Sequence, residues 1–159
     1  MAAVNQADKI EPAQRAAIFK RLGELLTQQC ELLSGYIAVL EKQSAFIGTG
    51  SADDLLAHVE TEEQIIAGIF SIQKVIDPLE AMYHADGSCS PDDDIPVLKA
   101  EMEDLKNRAA VLSARNRELL SARMADIRAE MKVLGENLSR VNARRSPYDN
   151  SASLIDIEG

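Results

Sequence analysis

Apolar residues recur along this chain at three- and four-residue steps in three long stretches, which is the period of helices rather than strands. In the first stretch, roughly Pro12 to Ile47, Ile18, Leu25, Leu32, Val39 and Phe46 return every seven residues, and so do Phe19, Leu26, Leu33, Leu40 and Ile47. Leu22 and Tyr36 fill a third row, shared with Gln29 and Gln43. Three apolar positions in seven make a face wider than a two-stranded seam, which predicts packing against two neighbours. Gly48-Thr49-Gly50 predicts the helix end, with glycine as a left-handed cap. Ser51 followed by Asp54 has the spacing of a capping box for the next helix, with Asp in place of the usual Glu. A link this short predicts an antiparallel helical hairpin.

The second stretch, roughly Ala52 to His84, carries Leu55, Val59, Ile66, Ile69, Ile76 and Tyr83, with Ile65 and Phe70 broadening the stripe. Pro78 interrupts it. A proline inside a helix costs about 3 kcal/mol, and Asp77-Pro78-Leu79-Glu80 also has the composition of a fresh helix start. A kink or short break is expected there. Ala85 to Ile95, with Asp86-Gly87, Ser90-Pro91 and three successive aspartates, reads as a loop.

The third stretch runs from about Pro96 to Arg144, with Asp94 near its start, where a negative charge is favoured. Leu98, Met102, Leu105, Ala109, Leu112, Asn116 and Leu119 fit one heptad frame. Leu120, Met124, Ile127, Met131, Leu134, Leu138 and Val141 fit a frame one residue further on. A straight helix drifts by about 20° per heptad against a 3.5-residue repeat, so this slip predicts a nearly straight helix. Arg144-Arg145 suit its C-terminus and Pro147 stops it.

These lengths do not match. At 1.5 Å per residue the third helix would be about 73 Å long, against about 54 and 50 Å for the first two. In an antiparallel bundle its partners would run out near residue 130, leaving Met131, Leu134, Leu138 and Val141 to project. An apolar stripe left bare by its own helices is expected to be covered by something else. A second copy of the chain, the C-terminal tail folded back with Leu154, Ile155 and Ile157, and a foreign amphipathic segment are the three candidates.

Composition narrows the fold. Only 4% of residues are aromatic and there is no Trp, so the core must be built from Leu, Ile, Val, Ala and Met. The expected fold is all-α: an elongated antiparallel three-helix bundle or coiled coil with a long third helix. Its expected organisation is a flexible N-terminus over 1–11, a three-helix domain over 12–144 and a disordered tail over 145–159. The net charge of −9 argues against nucleic acid as a partner. Charge also divides by segment: residues 51–95 hold 11 acidic and one basic side chain, and residues 96–145 hold 11 basic and 7 acidic. That division favours adjacency of the second and third helices. Two cysteines without motif spacing fit a reducing compartment. The N-terminal residues lack the apolar segment of a signal peptide, and no run is long enough to enter a membrane. The cytoplasm is the expected location.

Catalytic patterns are not found. His58 has Asp54 and Glu62 four residues away on either side, and His84 has Glu80. Di-iron helical bundles use Glu-x-x-His, a three-residue step, so these read as solvated surface and no metal is expected. There is no HExxH, P-loop, GxGxxG or CxxC pattern, and no Ser or Cys with a plausible His partner. No cofactor and no enzymatic activity are expected. Arg108, Arg115, Arg117, Arg123 and Arg128 are interleaved with acids and lack aromatic companions, so a salt-bridged helix face is expected rather than an RNA site. Asn116 occupies a core position. It reads either as a polar residue that fixes helix register or as a partner contact.

Four segments together carry a resemblance: ELLSGYIAVLEKQ in the first helix, HVETEEQIIAGIFSIQKVI in the second, Arg-Asn-Arg-Glu-Leu-Leu at Arg115–Leu120, and Tyr148-Asp149 in the tail. With three long helices in a small acidic chain, the sequence resembles the FlgN-type flagellar export chaperones over most of residues 12–150. The resemblance implies a cytosolic type III export chaperone that binds hook–filament junction proteins, shields their terminal helical segments and delivers them to the flagellar export gate. It implies cargo binding by the C-terminal helical region, which here is Met131, Leu134, Leu138 and Val141, and a gate contact by Tyr148. The role of Leu154, Ile155 and Ile157 rests on their apolar character alone. The alternative is a self-associating helical scaffold, a homodimer unrelated to export.

Overall fold

The computed structural model describes residues 10–87 and 93–145. They form three α-helices: α1 over Pro12–Phe46, α2 over Ala52–Asp86 and α3 over Ile95–Arg144, of 35, 35 and 50 residues. There is no strand among the described residues, so the fold is all-α. The chain divides into two units, the first ending at Glu118 and the second beginning at Leu119. This boundary falls inside the span expected as a single three-helix domain.

Pro12 occupies the first turn of α1, where its missing N–H costs no hydrogen bond. The end of α1 departs from expectation. Ile47 at the C-cap is right-handed, and the positive-φ glycine among the described residues is Gly87, at φ 63, capping α2. The turn after α1 closes through Thr49 and Gly50, whose amides both donate to the Phe46 carbonyl. A Cβ on Gly50 would stand 2.8 Å from that carbonyl oxygen. Glycine is required at 50 by close approach, not by handedness.

The capping box forms as expected. The Asp54 amide donates to Ser51 Oγ at 3.2 Å, and the Ser51 amide donates to Asp54 Oδ2 at 3.3 Å. The Ser51 hydroxyl, then the Ser51 amide, hold the Asp54 carboxyl below the usual carboxylate range. Pro78 does not break α2, which runs through it without interruption. Lys74, whose carbonyl loses its helical donor to the proline, and Pro78 are both exposed. Water can serve that carbonyl, and Ile76 and Tyr83 are buried on the opposite side.

Within the first unit, α1 is the central element. Ten of its residues are buried, against two on α2. Gln29 Nε2 donates to the Ile69 carbonyl and to Gln73 Oε1 on α2, at 3.1 and 3.3 Å, and Tyr36 Oη donates to Glu62 Oε1 at 2.8 Å. Toward α3, the Cys30 thiol lies 3.8 Å from the Leu98 carbonyl oxygen, and Asn116 reaches back to α1. Arg15 pairs with Asp86 at 2.8 Å, tying the start of α1 to the end of α2. Lys99 pairs with Glu80 at 3.5 Å, setting α3 antiparallel to α2.

The buried face of α1 is rotated from the one the heptads predict. The rows through Leu22 and Leu26 are buried apart from the half-buried Phe19, and Cys30 and Ile37 join them. In the row through Leu25, by contrast, Leu32 and Val39 are half-buried and Phe46 is exposed. On α2, Phe70 is 64% exposed and does not broaden the core stripe. A repeat identifies residues on one side of a helix; the neighbours decide which part of that side is covered.

Candidate functional site

Chemistry-bearing side chains are spread along the molecule. His58 lies against the Phe46 ring at 5.3 Å between centroids, near the α1–α2 turn. His84 packs on Tyr83 at 5.7 Å and contacts Lys99 Nζ at 3.1 Å. Among the described residues, no group of three or more His, Cys, Asp or Glu could hold a metal ion. Burial, with the Glu101 charge as a second cause, pushes the Cys30 thiol above its ordinary value, which disfavours the reactive thiolate. Burial raises the Tyr36 hydroxyl as well, and its bond to Glu62 acts in the same direction while Ser113 opposes it.

Asn116 belongs to the inside of the first unit. It is 2% exposed, and its Nδ2 donates to the Leu40 carbonyl at 2.8 Å and to Gln43 Oε1 at 3.0 Å. Of the two roles open to it, the structure gives the internal one. Its amide links α3 to α1, and at 2% exposure it offers almost no surface to a partner.

The candidate site is the apolar face of α3 in the second unit. Helical spacing places Met124, Ile127, Met131, Leu134, Leu138 and Val141 on one side, because steps of three and four residues advance one turn each. Met131 is 67% exposed, Leu134 60%, Leu138 56% and Val141 59%. A shallow groove beside the stripe is lined by Ala129, Glu130, Val133, Leu134 and Asn137. Val133 is exposed as well and widens the face on that side. Tyr148, Leu154, Ile155 and Ile157 lie outside the described residues. Of the five arginines expected to form a salt-bridged face, Arg123 is the one with an ion pair within 4 Å among the described residues, to Glu130 at 3.8 Å. Met124 and Ile127 belong to the same heptad frame, but the expectation that cover runs out near residue 130 leaves them outside the predicted site.

What these observations define is an all-α protein built on three long helices, the third of which bears an open heptad face. The chain belongs to one family with a protein of Treponema pallidum (strain Nichols) described as an uncharacterized protein. The two are 30% identical over 147 residues, spanning 92% of this chain and 93% of that one. No model of a known protein family and no solved structure matches the chain. Among the described residues, no helix is long and apolar enough to cross a membrane.

Proposed function

We propose that this protein is a cytosolic export chaperone of the FlgN type, without catalytic activity. In this reading it binds hook–filament junction proteins through the apolar face of α3 and delivers them to the flagellar export gate. The observation that carries the proposal is the exposure of Met131, Leu134, Leu138 and Val141 in strict heptad spacing. A face of this form takes an amphipathic helix. Burying those four side chains would contribute roughly 6–12 kcal/mol, at about 1.5–3 kcal/mol each. Ordering a partner and losing its free motion costs about 4–15 kcal/mol. Four residues alone give marginal binding, so the working face includes Met124 and Ile127.

The test uses purified junction protein and calorimetry. Leu134→Asp with Leu138→Asp should abolish binding while circular dichroism shows unchanged helix content. Undiminished binding by the double variant removes the site assignment. If the parent chain does not bind junction proteins at all, the export reading is removed. A stable dimer that the same two substitutions disperse would favour the self-associating scaffold instead.

A further inference from the structure

Resting on the reading of this face as a docking surface, we propose that its occupant is an amphipathic helix of another protein with acidic residues flanking its apolar stripe. The charge of the site carries this inference. The chain as a whole has a net charge of −9, yet residues 119–145 hold six basic and three acidic side chains. The positions bordering the stripe are those a packed helix would face at its edges. Arg123, Glu130 and Arg144 stand on one edge, Arg128 on the other, and the remaining border positions are uncharged. The one acid among them, Glu130, is already paired with Arg123 at 3.8 Å. With that pair offset, Arg128 and Arg144 leave the border of the apolar face net positive on an otherwise acidic protein, and a partner with acidic flanks meets it favourably.

The same border works against a second copy. A parallel, in-register pair sets Arg123 of one chain against Arg128 of the other on both edges. An antiparallel pair centred on the stripe sets Arg123 against Arg144 at both ends. Each register that covers the whole stripe thus opposes arginine to arginine. The antiparallel register that brings Arg123 to the Glu130 of the other copy sets Leu134, Leu138 and Val141 against residues 110–117 of that copy, not against its open stripe.

The chain's own C-terminal residues are acidic and contain Leu154, Ile155 and Ile157. A helical segment holding those three side chains would cover about one turn, roughly 5 Å, whereas Met124 to Val141 extends over about 26 Å. Leu154, Ile155 and Ile157 therefore match the charge but not the length of the face.

Two synthetic four-heptad peptides test the proposal. Both carry Leu or Ile at the apolar positions; one has Glu at every border position and the other has Lys. Each repels its own kind, so neither self-associates at neutral pH. Binding to the full chain is read by fluorescence anisotropy at two salt concentrations. The Glu peptide should bind at least about tenfold more tightly than the Lys peptide, with the difference shrinking as salt rises. Arg123→Glu with Arg128→Glu should reverse the preference. Leu134→Asp with Leu138→Asp should bind neither peptide.

Equal binding of both peptides, lost in the Leu134→Asp/Leu138→Asp variant, overturns the acidic partner and leaves the docking face standing. Undiminished binding of the Glu peptide by that variant overturns the docking face itself. A stable micromolar dimer of the parent chain assigns the face to a second copy and overturns the proposal. So does a Glu peptide that binds only after Leu154→Ser, Ile155→Ser and Ile157→Ser, because the tail is then the occupant.

Discussion

From Ile95 to Glu118, α3 buries Met102, Leu105, Ala109 and Asn116; from Leu119 to Arg144, the same three-and-four spacing leaves Met131, Leu134, Leu138 and Val141 open. The two parts do not differ in apolar periodicity. They differ in what lies against them. The first part has side-chain bonds to both other helices, through Asn116 to Leu40 and Gln43 and through Lys99 to Glu80. The second has one ion pair among the described residues, Arg123 to Glu130, within its own helix. Leu, Ala, Arg, Met, Glu and Lys dominate this second part, and these residues favour helix without tertiary help. Its apolar stripe is exposed among the described residues, and association is the use proposed for it.

Core truncation should separate the two parts most sharply. Leu26 is fully buried on α1, at the centre of the first unit. Leu26→Ala should lower unfolding free energy by about 2–5 kcal/mol, since deleting buried methyls loses transfer energy and leaves a cavity. The chemically identical Leu134→Ala should change it by no more than about 0.5 kcal/mol, as at an exposed site. Urea unfolding followed by circular dichroism checks both. A loss above 1 kcal/mol for Leu134→Ala, measured at low protein concentration, would break the comparison by showing that this chain covers its own stripe.

A second contrast uses two asparagines on the one helix. Asn116→Ala removes the donor to the Leu40 carbonyl and to Gln43 Oε1. It should cost about 1–3 kcal/mol, because both acceptors stay buried without that partner. Asn137 is exposed on the second part, and Asn137→Ala should be neutral or slightly stabilising, since alanine is the better helix former. Equal effects would mean that Asn116 does not hold α3 in register.

Much of this architecture was readable from the sequence, for reasons that also mark where the reading stopped. Pro12, the Ser51–Asp54 box and Arg144 signal helix ends through local hydrogen bonding, and local rules suffice there. The rows through Leu22 and Leu26 announced the core of α1 because a periodic face must be buried on something. Cys30, beside the apolar rows, is the small packing residue its place in the sequence suggests; Ile37 was missed, and Phe46 and Phe70 misplaced, because the position of neighbouring helices rotates the buried face away from its apolar centre. Of the kink or short break expected at Pro78, the break does not occur, because the affected carbonyl, that of Lys74, lies on the exposed side, where water can replace the lost donor. The open stripe was legible as a pattern from Met124 to Val141. The mismatch of helix lengths also showed that Met131, Leu134, Leu138 and Val141 would lie open; that Met124 and Ile127 are open as well was not legible, since periodicity records what a helix offers and not what lies opposite.

The smallest expected effect comes from Gly135, the poorest helix former in the second part. A Cβ added there meets nothing within 4 Å among the described residues, so none of them requires glycine at this position. Gly135→Ala should stabilise the local helix by about 0.5–1 kcal/mol, seen as slower amide exchange between Met131 and Ser139. Yet Gly135 sits directly beside Leu134 on the border of the apolar face, where a docked helix would pass. If the partner's backbone comes close at that point, the same substitution should weaken binding of the Glu-flanked peptide even as it slows exchange. If the partner stays at ordinary coiled-coil distance, a better-formed helix should bind equally well or more tightly. Opposite movements of exchange and affinity would place the tightest approach of the partner at Gly135. Parallel movements would leave Leu134 and Leu138 as the centre of the contact, with Gly135 reporting only on the stiffness of the helix.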